Sequence, residues 1–388
     1  MGEGITARRP AAACALPLEQ GAGMIEAPGR GEVDLMGLAL RLARRGRHAT
    51  SPNPMVGAVV VSRGQVVGSG YHRRAGAPHA EVVALATAGA QARGATLWVT
   101  LEPCSTEGRT GPCTDRILAA GVAEVRVATL DPNPRHHGRG VRALRARGVR
   151  VAVGERGSEA RELIEHFACW ITTGRPFVTL KLAMTLDGRV ATRSGEARWI
   201  TSPQARAWGH RLRASHDAVL VGSGTVLADD PVLSARVGRR PRQPLRVVLD
   251  RRLRVSPGAR LLGEGSSSVL IFSGPDPVAA RRRALEAAGA EVVQLPGDGD
   301  RLGAALDELG RRQVTSVLIE GGPTVMGSAL VEGLGNRLVA FVAPLLVGGE
   351  AARGAIGGAG FERLAEARRL RRLRAEPVGP DLCLMGEL

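Results

Sequence analysis

The chain carries His79-Ala-Glu81 and, further along, Cys104 and Cys113 in the string PCSTEGRTGPC, with eight residues between the two thiols. One imidazole and two thiolates make three ligands for zinc, and a catalytic zinc site takes three protein ligands and leaves a fourth position for water. Water held there ionises at a pKa of roughly 7, so hydroxide is available at neutral pH. Glu81 lies two residues from the imidazole, near a metal without binding it. A carboxylate so placed can take the water's proton and hand it to a ring nitrogen and a departing amine. The set is suited to hydrolytic deamination of an aminated ring. A closed structural zinc site uses the same residue types, but a fourth ligand at finger-like spacing is missing here.

Those side chains need elements to hold them. After His79 the segment AEVVALATAGAQA is rich in helix formers and predicts a helix over 79–92, with His79 and Glu81 in its first turn and its positive end facing the site. CTDRILAAG predicts a second helix that opens at Cys113 and ends at Gly121. Both helix starts favour thiolate and hydroxide. TLWVTLEP reads as a strand that delivers Cys104 at its carboxyl end, where open α/β sheets keep their sites. Cys14, Cys169 and Cys383 have no such company. Five cysteines without paired spacing predict a reducing compartment and no disulfide framework.

At 388 residues and 44% hydrophobic content the chain predicts two domains. Residues 1–32 are rich in Ala, Gly and Pro and read as a flexible extension, with Met24 and Met36 as alternative starts. Residues 33–154 read as a compact α/β sandwich: a helix after Val33, a hairpin in MVGAVVVSRGQVVGSG, then strands TLWVTL, EVRVATL and VRVAVG alternating with helices over 79–92, 113–120 and 140–147. Residues 155–174 read as a helical connector. Residues 175–388 form a second alternating α/β region, with strands in PFVTLKLAM, DAVLVGSG, LRVVLD, SVLIF, EVVQL, SVLIEGG and LVAFVAPLLVGG. No apolar run approaches the roughly 20 residues of a membrane helix, and proline breaks the N-terminal apolar stretch. A cytoplasmic protein without a membrane partner is expected.

The formal charge of +16 raises nucleic acid as a partner, but aromatic content is only 3% and the basic residues are spread along the chain. No nucleic-acid partner is predicted; a basic surface also draws in phosphorylated small molecules. Lys181 is the only lysine among 53 basic side chains. A compact amine can transfer a tuned proton where a guanidinium cannot, although composition bias could also have spared one lysine by chance. In GSGTVLADDP and IEGGPTVMGSAL a glycine turn joins a strand to a helix start, which offers N–H groups to phosphate. Neither fits GxGxxG, and steric reasons explain such glycines equally well.

Over residues 33–350 the strings TSPNPMVGAVVV, GYHRRAGAPHAE, VTLEPCSTEGRTGPC, DPNPRHHGRG, LKLAMTLDGRVAT, GEARWITSPQAR, GTVLADDP and IEGGPTV occur in that order. In this the chain resembles the bifunctional deaminase-reductase family of riboflavin biosynthesis. The resemblance implies a cytidine-deaminase-like three-layer α/β/α domain followed by a dihydrofolate-reductase-like α/β domain. It implies zinc-dependent hydrolytic deamination of a phosphorylated diaminopyrimidine, then NADPH-dependent reduction of the ribosyl chain to ribityl. One zinc per chain, NADPH and a small phosphorylated pyrimidine are the implied ligands, and a homo-oligomer is expected. His79, Cys104 and Cys113 match the zinc ligands and Glu81 the proton shuttle. Asn53, His72 and Arg109 match positions that hold the pyrimidine or its phosphate. Ala183, Trp199, Thr225, Asp229 and the turn Gly322, Pro323, Thr324, Val325, Met326, Gly327 and Ser328 match NADPH contacts. Arg213, Leu233, Arg236 and Glu320 match substrate contacts, and the forked guanidinium groups of Arg213 and Arg236 suit a phosphate dianion. Lys181 or Asp229 is expected to orient or protonate the ring-opened sugar. The chain departs from the family at Thr106, where a histidine is usual, and at Gly111, where a proline is usual. An altered phosphate affinity with an intact metal set is the expected result. A deaminase of nucleic-acid bases, which would not need the second domain, and a decayed deaminase that only supports the reductase are the competing readings.

Overall fold

The computed structural model describes residues 34–47, 49–106, 111–238, 242–264, 267–297 and 301–388. The extension over 1–32, Cys14 and Arg109 lie outside these residues. After Gly174 the chain passes from one compact unit to another.

In the first unit, Asp34 caps α1 (Leu35–Ala43) by accepting the Gly37 N–H at 2.7 Å, and the spacing of Met36, Ala39 and Leu40 buries one face of that helix. There follow β1 (Gly57–Ser62), β2 (Gln65–Tyr71), α2 (Ala80–Ala88), β3 (Thr96–Val99), α3 (Cys113–Ala119), β4 (Glu124–Val127), α4 (Arg139–Ala146), β5 (Arg150–Val153), α5 (Gly157–Leu163) and α6 (Glu165–Thr173). The sheet order is β2-β1-β3-β4-β5; β1 runs antiparallel to both neighbours, and β3, β4 and β5 are parallel. Alternation along β1 splits the core. Ala58 and Val60 pack with α2, α3 and α4, while Val59 and Val61 pack with α1 and Ala160 of α5. The result is a three-layer α/β/α sandwich. The predicted 79–92 helix is shorter than expected: His79 is the cap in extended backbone, and Gly89 at φ 54° ends the α-helix before a 3₁₀ turn over Gly89–Ala92.

The second unit contains β6 (Phe177–Thr185), β7 (Arg189–Ala191), α7 (Pro203–Ser215), β8 (Ala218–Gly222), α8 (Ser223–Asp229), β9 (Leu245–Leu249), α9 (Arg260–Gly263), β10 (Val269–Ser273), α10 (Ala279–Ala287), β11 (Ala290–Gln294), α11 (Arg301–Arg311), β12 (Ser316–Ile319), α12 (Pro323–Val331), β13 (Arg337–Ala343), β14 (Arg353–Gly354), β15 (Arg371–Val378) and β16 (Asp381–Glu387). Nine strands form one sheet in the order β11-β10-β9-β8-β12-β6-β13-β16-β15. The first seven are parallel, so their carboxyl ends lie along one edge; β16 and β15 close the other end as an antiparallel hairpin. Parallel strands covered on both faces read as continuous apolar runs, as in Ala218–Gly222 and Val269–Ser273, every residue of which is buried.

Gly57 lets α1 approach the sheet, because a Cβ there would stand 2.1 Å from the Ala39 carbonyl oxygen. Gly57→Ala is therefore expected to destabilise the first unit by about 1–3 kcal/mol in denaturant unfolding. Gly111→Ala, with nothing within 4 Å of its Cβ, leaves stability unchanged in the same measurement.

Candidate active sites

Two helix starts and a strand end converge in the first unit. His79 precedes α2, Cys113 opens α3, and Cys104 follows β3 through Thr100–Pro103. His79 Nδ1 lies 3.3 Å from Cys113 Sγ and 3.6 Å from Cys104 Sγ, and all three donor atoms fall within 4.8 Å of one another. The Cys113 N–H donates to Cys104 Sγ at 3.3 Å, and the Thr114 N–H to the Cys104 carbonyl at 3.1 Å. The Cys104 thiol is pulled down to about 4 by its hydrogen bond from Cys113, helped by His79 and the Cys113 N–H. Cys113 moves upward, because it keeps the proton the pair shares and is buried. The thiolate in turn raises the His79 pKa. A zinc ion with bonds of about 2.0–2.3 Å in tetrahedral geometry sets its donors roughly 3.5 Å apart. The triangle fits that shell in size and in chemistry, and a dication would displace the remaining proton.

Glu81 sits one helical step inside α2, with 3% of its surface exposed. Burial raises its pKa, against the pull of its own backbone and of His79. A carboxyl group able to hold a proton thus stands beside the donor triangle.

Asn53 and His72 are brought to the same place. The buried His72 ring packs edge-on against His79, with centroids 5.5 Å apart, and burial pushes its pKa down, so the ring is neutral. His72 Nδ1 lies 3.2 Å from the Pro78 carbonyl, which makes it the donor there and leaves Nε2 to accept from Asn53 Nδ2 at 3.1 Å. That network leaves Asn53 Oδ1 as an acceptor for a ligand. Thr106 lies with its hydroxyl 3.4 Å from His136 Nδ1, and Gly111 is exposed.

Sequence reasoning missed Glu102. Buried beside Pro103-Cys104, it accepts the N–H groups of Asp131 at 3.0 Å, Gly138 at 2.8 Å and Val141 at 3.1 Å. It ties the cysteine-bearing segment to the 131–141 loop. An acidic residue at the end of an apolar strand, directly before Pro-Cys, was the available signal.

In the second unit β6, β12 and α7 bring Lys181, Glu320 and Arg213 together. Arg213 donates from Nε and Nη2 to the two Glu320 oxygens at 2.6 and 2.9 Å, and from Nη1 to the Ser234 carbonyl at 3.0 Å. Three of its five N–H groups are thus engaged by Glu320 and Ser234. Lys181 Nζ lies 3.8 Å from Glu320 Oε2. Burial alone would raise the Glu320 pKa, but Arg213 and Lys181 outweigh it and bring it down to about 2. Burial pulls Lys181 below the ordinary lysine value, with Glu320 opposing. Leu233, buried at φ 57°, leads into Ser234, whose carbonyl also lies 3.2 Å from His210 Nδ1. Arg236 is exposed. Asp229 ends α8, where its carbonyl accepts from Arg198, and it is not among the charges acting on Lys181.

Thr225 from α8 fastens the glycine turn by accepting the Gly322 N–H at 2.9 Å. Gly321 at φ 96° makes the bend, Gly322 caps α12, and Pro323 fills its first position, so the first-turn N–H groups of α12 face outward from the strand end. Thr324 is exposed and Val325 and Ser328 half-buried. Met326 instead faces the core, and Gly327 backs onto the Gly357 carbonyl, 1.8 Å from where a Cβ would be. Ala183 lies near the carboxyl end of β6, beside Phe341 of β13. Trp199 is 69% exposed, with the Arg206 guanidinium 4.4 Å from its ring centroid.

The zinc-binding region of cytidine and deoxycytidylate deaminases matches residues 31–129, and the RibD C-terminal domain matches residues 176–384. The chain is 44% identical over 349 residues to riboflavin biosynthesis protein RibD of Aquifex aeolicus, covering 90% of this chain and 96% of that protein. It is 43% identical over 361 residues to RibD of Escherichia coli, covering 90% and 97%. The solved structure of Acinetobacter baumannii RibD superposes with a TM-score of 0.82 at 39% identity, covering 91% of this chain and 98% of that one. A diaminohydroxyphosphoribosylaminopyrimidine deaminase/5-amino-6-(5-phosphoribosylamino)uracil reductase of Thermotoga maritima gives a TM-score of 0.80 at 34% identity, covering 91% and 97%. Matched over nearly its whole length and in both halves, the chain belongs to the RibD family of bifunctional riboflavin-biosynthesis enzymes, with a cytidine-deaminase-like zinc domain followed by a reductase domain.

Proposed function

We propose that the two units perform consecutive steps of riboflavin biosynthesis through the residues described above. The first, residues 33–154, hydrolyses the ring amine of a diaminohydroxyphosphoribosylaminopyrimidine; the second, residues 175–388, uses NADPH to reduce the ribosyl chain of 5-amino-6-(5-phosphoribosylamino)uracil. Residues 155–174, whose helices α5 and α6 fold with the first unit, lead into the second. The observation that carries the reading is the His79–Cys104–Cys113 triangle with a buried, proton-holding Glu81 beside it.

His79, Cys104 and Cys113 would hold zinc, which would supply the Lewis acid that ionises water near neutral pH. Glu81 takes the proton of the attacking water and passes it to the ring nitrogen, then takes the proton of the hydroxyl so formed and delivers it to the amine, which leaves as ammonia as the ring carbonyl forms. Its burial suits it to both duties, since a carboxyl with a raised pKa gives a proton back readily. Asn53 Oδ1 accepts from the pyrimidine edge, and the neutral His72 fixes the Asn53 amide in that orientation. Arg109 is assigned to the substrate phosphate.

In the reductase, the Gly322–Ser328 turn, Thr225, Ala183, Trp199 and Asp229 would hold NADPH, which would supply the hydride. Glu320, held ionised by Arg213, accepts from the substrate's ring or sugar, while Leu233 and Arg236 flank it. The reading assigns proton delivery to Lys181 over Asp229, because Lys181 stands within the Glu320 cluster. The enzyme is assigned to the cytoplasm as a homo-oligomer; buried thiols at Cys169 and Cys383 accord with a reducing compartment, and no helix among the described residues is long and apolar enough to cross a membrane.

Glu81→Gln is expected to slow ammonia release roughly 100- to 10,000-fold while zinc remains bound, and to leave NADPH oxidation on supplied deaminated product intact. Loss of zinc along with activity, read by elemental analysis, would assign Glu81 to the metal shell instead. Lys181→Met is expected to depress reductase turnover far more than NADPH affinity. The sign of its pH dependence follows from the ammonium being the donor: reductase activity is full at low pH and falls as pH rises through a pKa below the ordinary 10.5. A pH–rate profile of Lys181→Met should lack that alkaline limb, and its persistence would move the donor elsewhere.

A further inference from the structure

β3 and β4 run parallel and side by side, so the segments that leave their carboxyl ends lie next to each other. The segment after β3 carries Cys104; the one after β4, residues 128–138, leads into α4. Two contacts bracket Cys104, and both reach this second segment. Two residues before the cysteine, Glu102 accepts the N–H groups of Asp131 and Gly138, together with that of Val141 in α4. Two residues after it, the Thr106 hydroxyl lies 3.4 Å from His136 Nδ1. The approach is close, since a Cβ at Gly140 would stand 2.0 Å from the Pro103 carbonyl oxygen.

Local hydrogen bonds hold His136 in place. Asn133 accepts the Arg135 N–H with its side-chain oxygen at 3.0 Å, and the N–H groups of His136 and His137 with its carbonyl at 2.9 and 3.0 Å. The Arg139 N–H closes onto the His136 carbonyl at 2.8 Å. The two histidines then part. His137 is exposed and turns Nδ1 back to the Asp131 carbonyl at 2.9 Å, while the half-buried His136 turns toward Thr106. Thr106 stands where a histidine is usual in the family, so an imidazole lies beside that position in space although the sequence lacks one there.

We propose that His136, reaching in from the segment between β4 and α4, supplies the imidazole missing at Thr106 and binds the phosphate of the deaminase substrate through Nε2. The inference rests on the deaminase reading above and deepens it by naming a residue that sets substrate affinity. With the Thr106 hydroxyl assigned as donor to Nδ1, the neutral ring carries its proton on Nε2, and that N–H suits a phosphate oxygen. Arg135 and Arg139, both exposed, add positive field on either side of it. Asp131 is the acid that His136 acts on. Its Oδ1 accepts the Asn133 N–H at 2.8 Å, and burial raises its pKa against the pull of that bond and of His136, which lessens its repulsion of an anion. The loss of histidine at 106 is thus made good from a neighbouring segment.

The test uses the full zinc-loaded chain, His136→Ala and the double variant His136→Ala/Thr106→His. Ammonia release is followed on the phosphorylated diaminopyrimidine and on its dephosphorylated counterpart. His136→Ala is expected to raise KM for the phosphorylated substrate roughly tenfold and to change kcat by less than about twofold. KM for the dephosphorylated compound, zinc content and reductase turnover on supplied product are expected to stay as in the unmodified protein. Thr106→His is expected to restore KM in the double variant, which a merely structural pairing of Thr106 with His136 would not do. Without turnover, the imidazole resonance of His136, identified by its loss in His136→Ala, is expected to shift when ribose 5-phosphate is added. An unchanged KM, an equal rise with both substrates, a loss of zinc in His136→Ala, or a KM that Thr106→His leaves high would overturn the proposal. If the unmodified protein releases no ammonia, the deaminase reading fails, and the resonance still decides the phosphate contact: a shift supports it and a still signal overturns it.

Discussion

A carboxylate taken out of water must be met by donors or else hold a proton, and three buried glutamates in this protein show the alternatives. Glu102 receives three backbone N–H groups and becomes a structural tie that fixes the segment carrying Cys104. Glu320 receives a two-pronged guanidinium and a nearby ammonium, so it stays ionised down to about pH 2. Glu81 lies among groups that only partly oppose the cost of its burial, and its pKa rises. Surroundings alone divide one residue type into a brace, a fixed negative charge and a carboxyl group able to hold a proton. The sandwich and the parallel sheet matter to chemistry because they place these three environments at strand and helix ends.

Helix starts do the same work for the other groups. His79 and Cys113 stand at the openings of α2 and α3, where unpaired N–H groups lower the cost of thiolate, and the Cys113 N–H itself bonds Cys104. In the second unit the start of α12 is presented by a turn that Thr225 holds in place. Strand order then decides what lies on either side of that turn, with an amine toward β6 and guanidinium groups toward β9.

The residues of the zinc triangle were legible in the sequence because their types and spacing are rare together, and the strands were legible because buried parallel strands leave unbroken apolar runs. Helix ends were less so: the 79–92 stretch has good formers throughout, and only the positive φ of Gly89 marks where the α-helix stops. Glu102 was missed because its partners are backbone groups some 30 to 40 residues away, which leave no trace in side-chain pattern. The pairing of Arg213 with Glu320 was not foreseen, since a guanidinium looks the same in sequence whether it awaits a phosphate or already holds a carboxylate. The hairpin β15–β16 escaped because its outer strand is exposed along nearly its whole length and reads as a charged run, RRLRAEPV.

The abundance of arginine gives the single lysine its meaning. Arg213 cannot give up its proton within the range in which proteins operate, so it holds Glu320 ionised throughout that range. An arginine at position 181 would add a second permanent charge and could return nothing to the substrate. A lysine there is a different device: burial lowers its hold on its proton while Glu320 keeps it from losing the proton too early. Of the three charges in the cluster two are fixed and one is movable, and the movable one is the only residue of its kind in the chain. With the proton in place the cluster carries one net positive charge, which favours an anion; were Lys181 to give it up, as the proposed reduction has it, the cluster would be neutral and that hold would weaken.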